Sequence, residues 1–141
     1  MAKNLAKHKV SVKTRECIIQ ALYQSLMEPS SVELLMQQFT KENNPKKISF
    51  DLLKSRLKYF FANKEQIIKS LNAKNKSDNY QVIDKAIMAY ALIERGLKEL
   101  PKEVIFDESI RLARKFSNES AYKFINAKLE KIYDYSSSRL D

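Results

Sequence analysis

Few side chains in this sequence are equipped for covalent or proton chemistry. His8 is its single histidine and Cys17 its single cysteine. Any histidine general base would have to be His8, which lies in a lysine-rich stretch ahead of the first regular apolar pattern. General bases need fixed geometry, so a solvated imidazole is the expected state. A lone cysteine forms no intramolecular disulfide and excludes a multi-thiolate metal site. Adjacent acids such as Asp107 and Glu108 do not converge on a cation, because neighbours on a helix point about 100° apart. The P-loop and the dinucleotide fingerprint both need glycines, and the chain has one glycine in 141 residues. No catalytic residue, metal ligand or cofactor is expected, and the chain does not read as an enzyme.

Charge is the stronger signal. Lysine and arginine number 26 against 17 acids, giving a formal charge of +9 and a sequence pI near 9.6. Such a balance favours an anionic partner, of which nucleic acid is the commonest; a lysine excess serving only solubility is the other reading. Lys3, Lys7, Lys9, Lys13 and Arg15 all precede the first acid, Glu16, so the chain opens with a positive arm leading into a helix.

The elements that must position these charges are helical. With one glycine and three prolines, tight hairpins are poorly supplied, and Leu, Ala, Lys, Glu and Gln favour helices. An all-α domain is expected. Its first helix runs from about Lys13 to Met27, with Ile18, Ile19, Leu22 and Leu26 as the buried stripe and Lys13, Glu16, Gln20 and Tyr23 on another. Ser31 caps a short helix to about Lys41, and Asn43, Asn44 and Pro45 form a turn. Ser49 caps a segment whose stripe is Phe50, Leu53, Leu57, Phe60, Ile67 and Leu71. The polar residues 72–79 form the best candidate boundary between sub-bundles. A central helix spans about Gln81 to Arg95, apolar on most sides, with Gly96 in the C-terminal position usual for glycine. Pro101 opens a fifth helix with the stripe Ile105, Ser109, Leu112 and Phe116. Ser117 or Asn118 caps a sixth, whose core side is Ala121, Ile125, Leu129 and Ile132. The expected organisation is a basic arm (1–12), a single helical domain (13–135) and a frayed tail (136–141). The longest apolar run, Ala86 to Ile93, is far short of the roughly 18 residues of a membrane span. The N-terminus lacks the apolar region of a secretory signal, so a cytoplasmic location and no membrane partner are expected.

Three segments carry a family resemblance: TRECIIQALYQSLM (residues 14–27), VIDKAIMAYALIE (82–94) and LPKEVIFDESIRLARKFSNESAYKFINAKLEKI (100–132). In order, they resemble the opening, central and closing segments of the NusB (N-utilization substance B) antitermination family. The closing segment is the most specific, and residues 28–80 match in helical rhythm alone. The resemblance implies a NusB-like fold of two small helical sub-bundles with about six to seven helices. It also implies binding of boxA-type single-stranded RNA together with the ribosomal protein NusE. That assembly acts in the RNA polymerase antitermination complex, notably on ribosomal RNA operons. Family members occur as monomer or homodimer.

Carried onto this sequence, the resemblance places RNA contacts at Lys9, Lys13, Arg15, Tyr23, Lys123, Phe124 and Asn126. It places protein-partner contacts at Glu16, Asp84 and Ser120. Lysine and arginine neutralise phosphates while unpaired bases stack on aromatic rings. Tyr23 is equally a boundary residue of the buried stripe, Phe124 a core ring, Asn126 an internal hydrogen-bonding group, and Asp84 a solvated helix N-terminal charge. The sequence departs from the family pattern where Ser11, Val12 and Lys13 replace an arginine cluster, Ser120 an acid, Ala127 a glycine and Lys128 an apolar residue. The altered arginine cluster raises one alternative, a NusB-like protein-interaction module with weakened or lost RNA binding; an enzymatic alternative, the second, is the NusB-like domain of an RNA cytosine methyltransferase. The second needs a glycine-containing catalytic domain.

Overall fold

A computed structural model describes residues 2–72, 81–118 and 122–131. Among the described residues there are seven helices and no strand: α1 (Ala2–Met27), α2 (Val32–Glu42), α3 (Phe50–Ala62), α4 (Lys64–Leu71), α5 (Val82–Leu97), α6 (Lys102–Phe116) and α7 (residues 122–131). The all-α expectation holds. Residues 73–80, most of the expected sub-bundle boundary, lie outside the described residues, as do Ala121, Ile132 and the C-terminal tail.

The first difference from expectation is the start of α1, which begins at Ala2 and not near Lys13. Between Ala2 and Met27 there is neither glycine nor proline, so once nucleated the helix propagates through the basic segment. Thr14 then fastens α1 to α3. Its hydroxyl donates to the Val10 carbonyl at 2.6 Å and accepts from the Ser49 N–H at 2.9 Å. Ser31 and Ser49 cap α2 and α3 as expected, accepting from the Leu34 and Leu52 N–H groups at 3.2 Å. Reciprocal amide bonds between Gln24 and Gln38 (2.7 and 3.0 Å) join α1 to α2.

The single apolar stripe expected from Phe50 to Leu71 is divided between two helices. At Asn63 the side-chain amide donates to the Tyr59 carbonyl at 3.0 Å, and the backbone N–H reaches the Tyr59 and Phe60 carbonyls. Asparagine competes for backbone groups in this way and favours a break. The stripe nevertheless stays coherent, with Leu53, Leu57, Phe60, Ile67 and Leu71 all buried.

Helix α5 is the hub and packs on α1, α3, α4 and α6. Ala86 through Ala91 are all buried, as the apolar circumference of a central helix requires. Gly96 does not terminate it. The helix continues to Leu97, and the left-handed cap residue is Lys98, at φ 58° and ψ 30°. The hydrogen side chain of Gly96 leaves room for Tyr59 of α3: a Cβ at 96 would fall 1.9 Å from the Tyr59 hydroxyl oxygen and 2.4 Å from its ring carbon Cζ. A side chain at 96 would therefore require the Tyr59 ring to move aside. Ile105, Ser109 and Leu112 of α6 and Ile125 and Leu129 of α7 complete the core; Phe116 is half-buried.

Candidate nucleic-acid interface

Lys9, Lys13, Glu16, Gln20, Tyr23 and Met27 recur every three or four residues and so share one face of α1. The opposite face, with Ile18, Ala21, Leu22 and Ser25, is buried. Lys9, Lys13 and Gln20 are exposed, as are Tyr23 (39%) and Met27 (56%). From Lys9 to Tyr23 the face extends about 21 Å along the helix axis. It ends at an open groove of about 600 Å³ between Gln20, Tyr23 and Met27 of α1, the Gln81–Ile83 entry to α5, and Phe116 at the end of α6. Gln81 and Phe116 were not singled out as site residues from the sequence. Nothing local distinguishes them, because the groove exists only once three helix ends meet.

Two expected contact residues are engaged inside the fold. Arg15 forms an ion pair with Glu108 at 3.2 Å, both side chains only 12% exposed. Glu16 accepts from Arg111 at 3.0 Å and from Lys115 at 2.8 Å, and Arg111 also holds Glu108 at 2.9 Å. These contacts stitch α6 to α1, so Arg15 and Glu16, expected as contacts to phosphate and to a protein partner, each already hold an ion pair within the fold. Neighbours more than ninety residues away in sequence claim both charges, which no local pattern reveals.

Burial alone would raise the Glu16 and Glu108 carboxyls. The cations outweigh it, with Lys115 and Arg111 holding Glu16, and Arg111 and Arg15 holding Glu108, below the ordinary carboxylate range. Groups with depressed folded pKa values stabilise the fold at and above their unfolded value, about 4.3, and lose that contribution as pH falls through the folded values. Urea denaturation is therefore expected to show stability declining as the pH drops below about 4.3. The double variant Glu16→Gln/Glu108→Gln should have lost that part of the decline. Parallel pH profiles for parent and variant would contradict the assignment.

Asp84 is likewise no solvated charge. It is 5% exposed and accepts from the Ser117 hydroxyl at 2.8 Å, tying the start of α5 to the cap of α6 beneath the groove. Ser120 lies outside the described residues. On α7, Lys123 is exposed, whereas Phe124 and Asn126 are half-buried on the flank of the Ile125–Leu129 core stripe. The Lys128 amine lies 5.8 Å from the Phe124 ring centroid, and the Arg114 guanidinium 4.6 Å from that of Tyr122. Cationic groups over aromatic faces leave these rings near positive charge, a combination that suits a base stacked above a phosphate backbone.

No group of three or more His, Cys, Asp or Glu among the described residues is placed to hold a metal ion. Among the same residues, no helix is long and apolar enough to cross a membrane.

The NusB family profile matches residues 12–134, which includes every helix above except the start of α1. The chain belongs to the NusB family. Among NusB relatives, the transcription antitermination protein NusB of Aliarcobacter butzleri is 30% identical over 122 residues, covering 84% of this chain and 92% of its own length. That of Serratia proteamaculans is 27% identical over 124 residues, covering 85% and 89%. The fold resembles a chain in a crystal structure of the antitermination factors NusB and NusE in complex with dsRNA. The TM-score is 0.75 at 18% identity, covering 89% of this chain and 97% of that one. The NusB-like architecture expected from the three sequence segments is thus met by both sequence and fold.

Proposed function

We propose that this chain is an RNA-binding transcription antitermination factor. It binds boxA-type single-stranded RNA together with NusE, and promotes read-through by RNA polymerase on ribosomal RNA operons in the cytoplasm. The observation that carries the reading is the exposed face of α1, where Lys9 and Lys13 lead toward the exposed ring of Tyr23 at the groove. Amines neutralise phosphates and the ring offers a stacking surface, the two components of single-strand recognition. Lys123, Phe124 and Asn126 of α7 supply further RNA contacts in this reading. The working unit is the helical domain of residues 13–135, with the first turns of α1 adding charge. It binds RNA and NusE, and no catalytic step or cofactor is assigned to it. Its nearest support outside the chain is a family whose relatives carry the antitermination name.

A second reading, a protein-interaction module with reduced RNA binding, is favoured by one observation: Arg15 is committed to Glu108. A fluorescently labelled boxA-like RNA titrated with the protein across a salt series, with and without NusE, separates the two. Engagement of about four single-strand phosphates gives a log–log salt slope near −3. Tighter, salt-dependent binding with NusE present, lost on scrambling the RNA, is the expected result. NusE binding with no gain in RNA affinity would establish the module instead.

A further inference from the structure

Arg15 is paired with Glu108, which leaves Lys9 and Lys13 as the exposed cations on the described part of the α1 face. The fold brings a second source of charge to the same place. Residues 43–49, between α2 and α3, are held against α1 at two points. The Cys17 thiol lies 3.8 Å from the Asn43 side-chain oxygen, and the Ser49 N–H donates to Thr14. Lys46 and Lys47 lie between these anchors, and both are exposed. On α1, Lys13 sits roughly 40° around the helix from Cys17 and roughly 60° from Glu16. It is therefore flanked by this loop on one side and by the Glu16–Lys115 pair of α6 on the other.

The loop is also pre-shaped. The Asn44 side chain accepts from the Lys46 N–H at 2.9 Å, and its carbonyl accepts from the Lys47 and Ile48 N–H groups at 2.9 and 3.2 Å. Ile48 is buried beneath it. Lysines on a fixed loop lose little backbone freedom when they meet a ligand. The ion-pair pattern points the same way. The cations along the α1–α6 and α3–α5 seams, Arg15, Arg56, Arg111 and Lys115, all have carboxylate partners. Among the described residues, Lys9, Lys13, Lys46 and Lys47 form no such pair. Of the acids near Cys17, Glu42 is exposed and Glu16 is already matched by two cations.

We propose that Lys46 and Lys47 form, with Lys9 and Lys13, one cationic surface for the phosphate backbone of single-stranded RNA, the loop adding phosphate contacts to those of α1. This rests on the RNA-binding reading above. The test is a salt titration of labelled single-stranded RNA, boxA-like and scrambled, in saturating NusE. It compares the parent with Lys46→Gln/Lys47→Gln, Lys46→Arg/Lys47→Arg and a distant control, Lys69→Gln on α4. Loss of two single-strand phosphate contacts flattens the log–log slope by about 1.4. The glutamine pair should show this on both RNAs with an unchanged melting temperature, while the arginine pair and the control keep the parental slope. A parental slope in the glutamine pair, or an equal flattening in the control, overturns the loop assignment alone. A parent with no salt-sensitive RNA affinity overturns the RNA reading and the loop with it.

Discussion

Glu94→Ala is expected to destabilise the protein by about 3–5 kcal/mol, the usual cost of leaving one member of a buried ion pair without its partner. Arg56 of α3 is 5% exposed and Glu94 of α5 is 1% exposed. They meet in a two-pronged bond, Nε to one carboxylate oxygen at 3.1 Å and a terminal nitrogen to the other at 2.8 Å. Burial alone would push the guanidinium toward losing its proton; Glu94 and Glu99 reverse this and hold its pKa above the ordinary value. Glu99, 2.8 Å from Arg56 but 59% exposed, is too solvated to replace Glu94. The cost corresponds to a fall of about 10–20 °C in melting temperature for a domain of this size. Urea denaturation of Glu94→Ala, Arg56→Met and the double variant measures it. The double variant should be much more stable than the sum of the singles implies, since apolar replacement of a whole buried pair is often neutral. Simple additivity would show that the pair is not the unit of stability between α3 and α5.

Phe124→Ala is expected to weaken RNA binding about 5- to 150-fold, the equivalent of losing one base–ring stack of about 1–3 kcal/mol. Phe124 is half-buried beside the core stripe, and Ile125 and Leu129 carry the packing of α7. Cooperative unfolding should therefore survive the change. NusE affinity should also be unchanged, which distinguishes a lost stack from a damaged fold. Intact RNA affinity would remove Phe124 from the interface, and collapse of the folded state would mark it as core. The Lys128 amine near its ring makes a further distinction possible. Phe124→Leu keeps bulk and loses the aromatic face, so under a stacking role it should resemble alanine in RNA affinity.

Periodicity revealed the helices and their inward faces because each stripe is a local property of the chain. Ser31 and Ser49 were equally legible as caps, for a cap is decided within four residues. What stayed hidden was anything that depends on a distant neighbour. Arg15 reads as a free cation until Glu108 is placed beside it, and Asp84 reads as a helix-end charge until Ser117 covers it. Gly96 reads as the end of the central helix, whereas the helix runs on to Leu97 and Gly96 lies against the ring of Tyr59. Nothing local singles out Lys46 and Lys47; the Thr14–Ser49 and Cys17–Asn43 contacts are what hold their loop against α1. For the interface itself, composition indicated a polyanion, while which cations remain open to it required the whole ion-pair map.

The unbroken run of α1 from Ala2 to Met27 has a thermodynamic consequence. Lys9 and Lys13 stand one turn apart on a rod, not on a tether, so their spacing is set before any ligand arrives. A disordered arm that folds on contact carries an ordering cost of about 2–5 kcal/mol and a large negative heat-capacity change. A preformed helix carries neither from this segment. Association should thus be close to rigid docking, with helical content the same in the free and bound states and selectivity arising from the match between the pitch of the rod and the pitch of the strand.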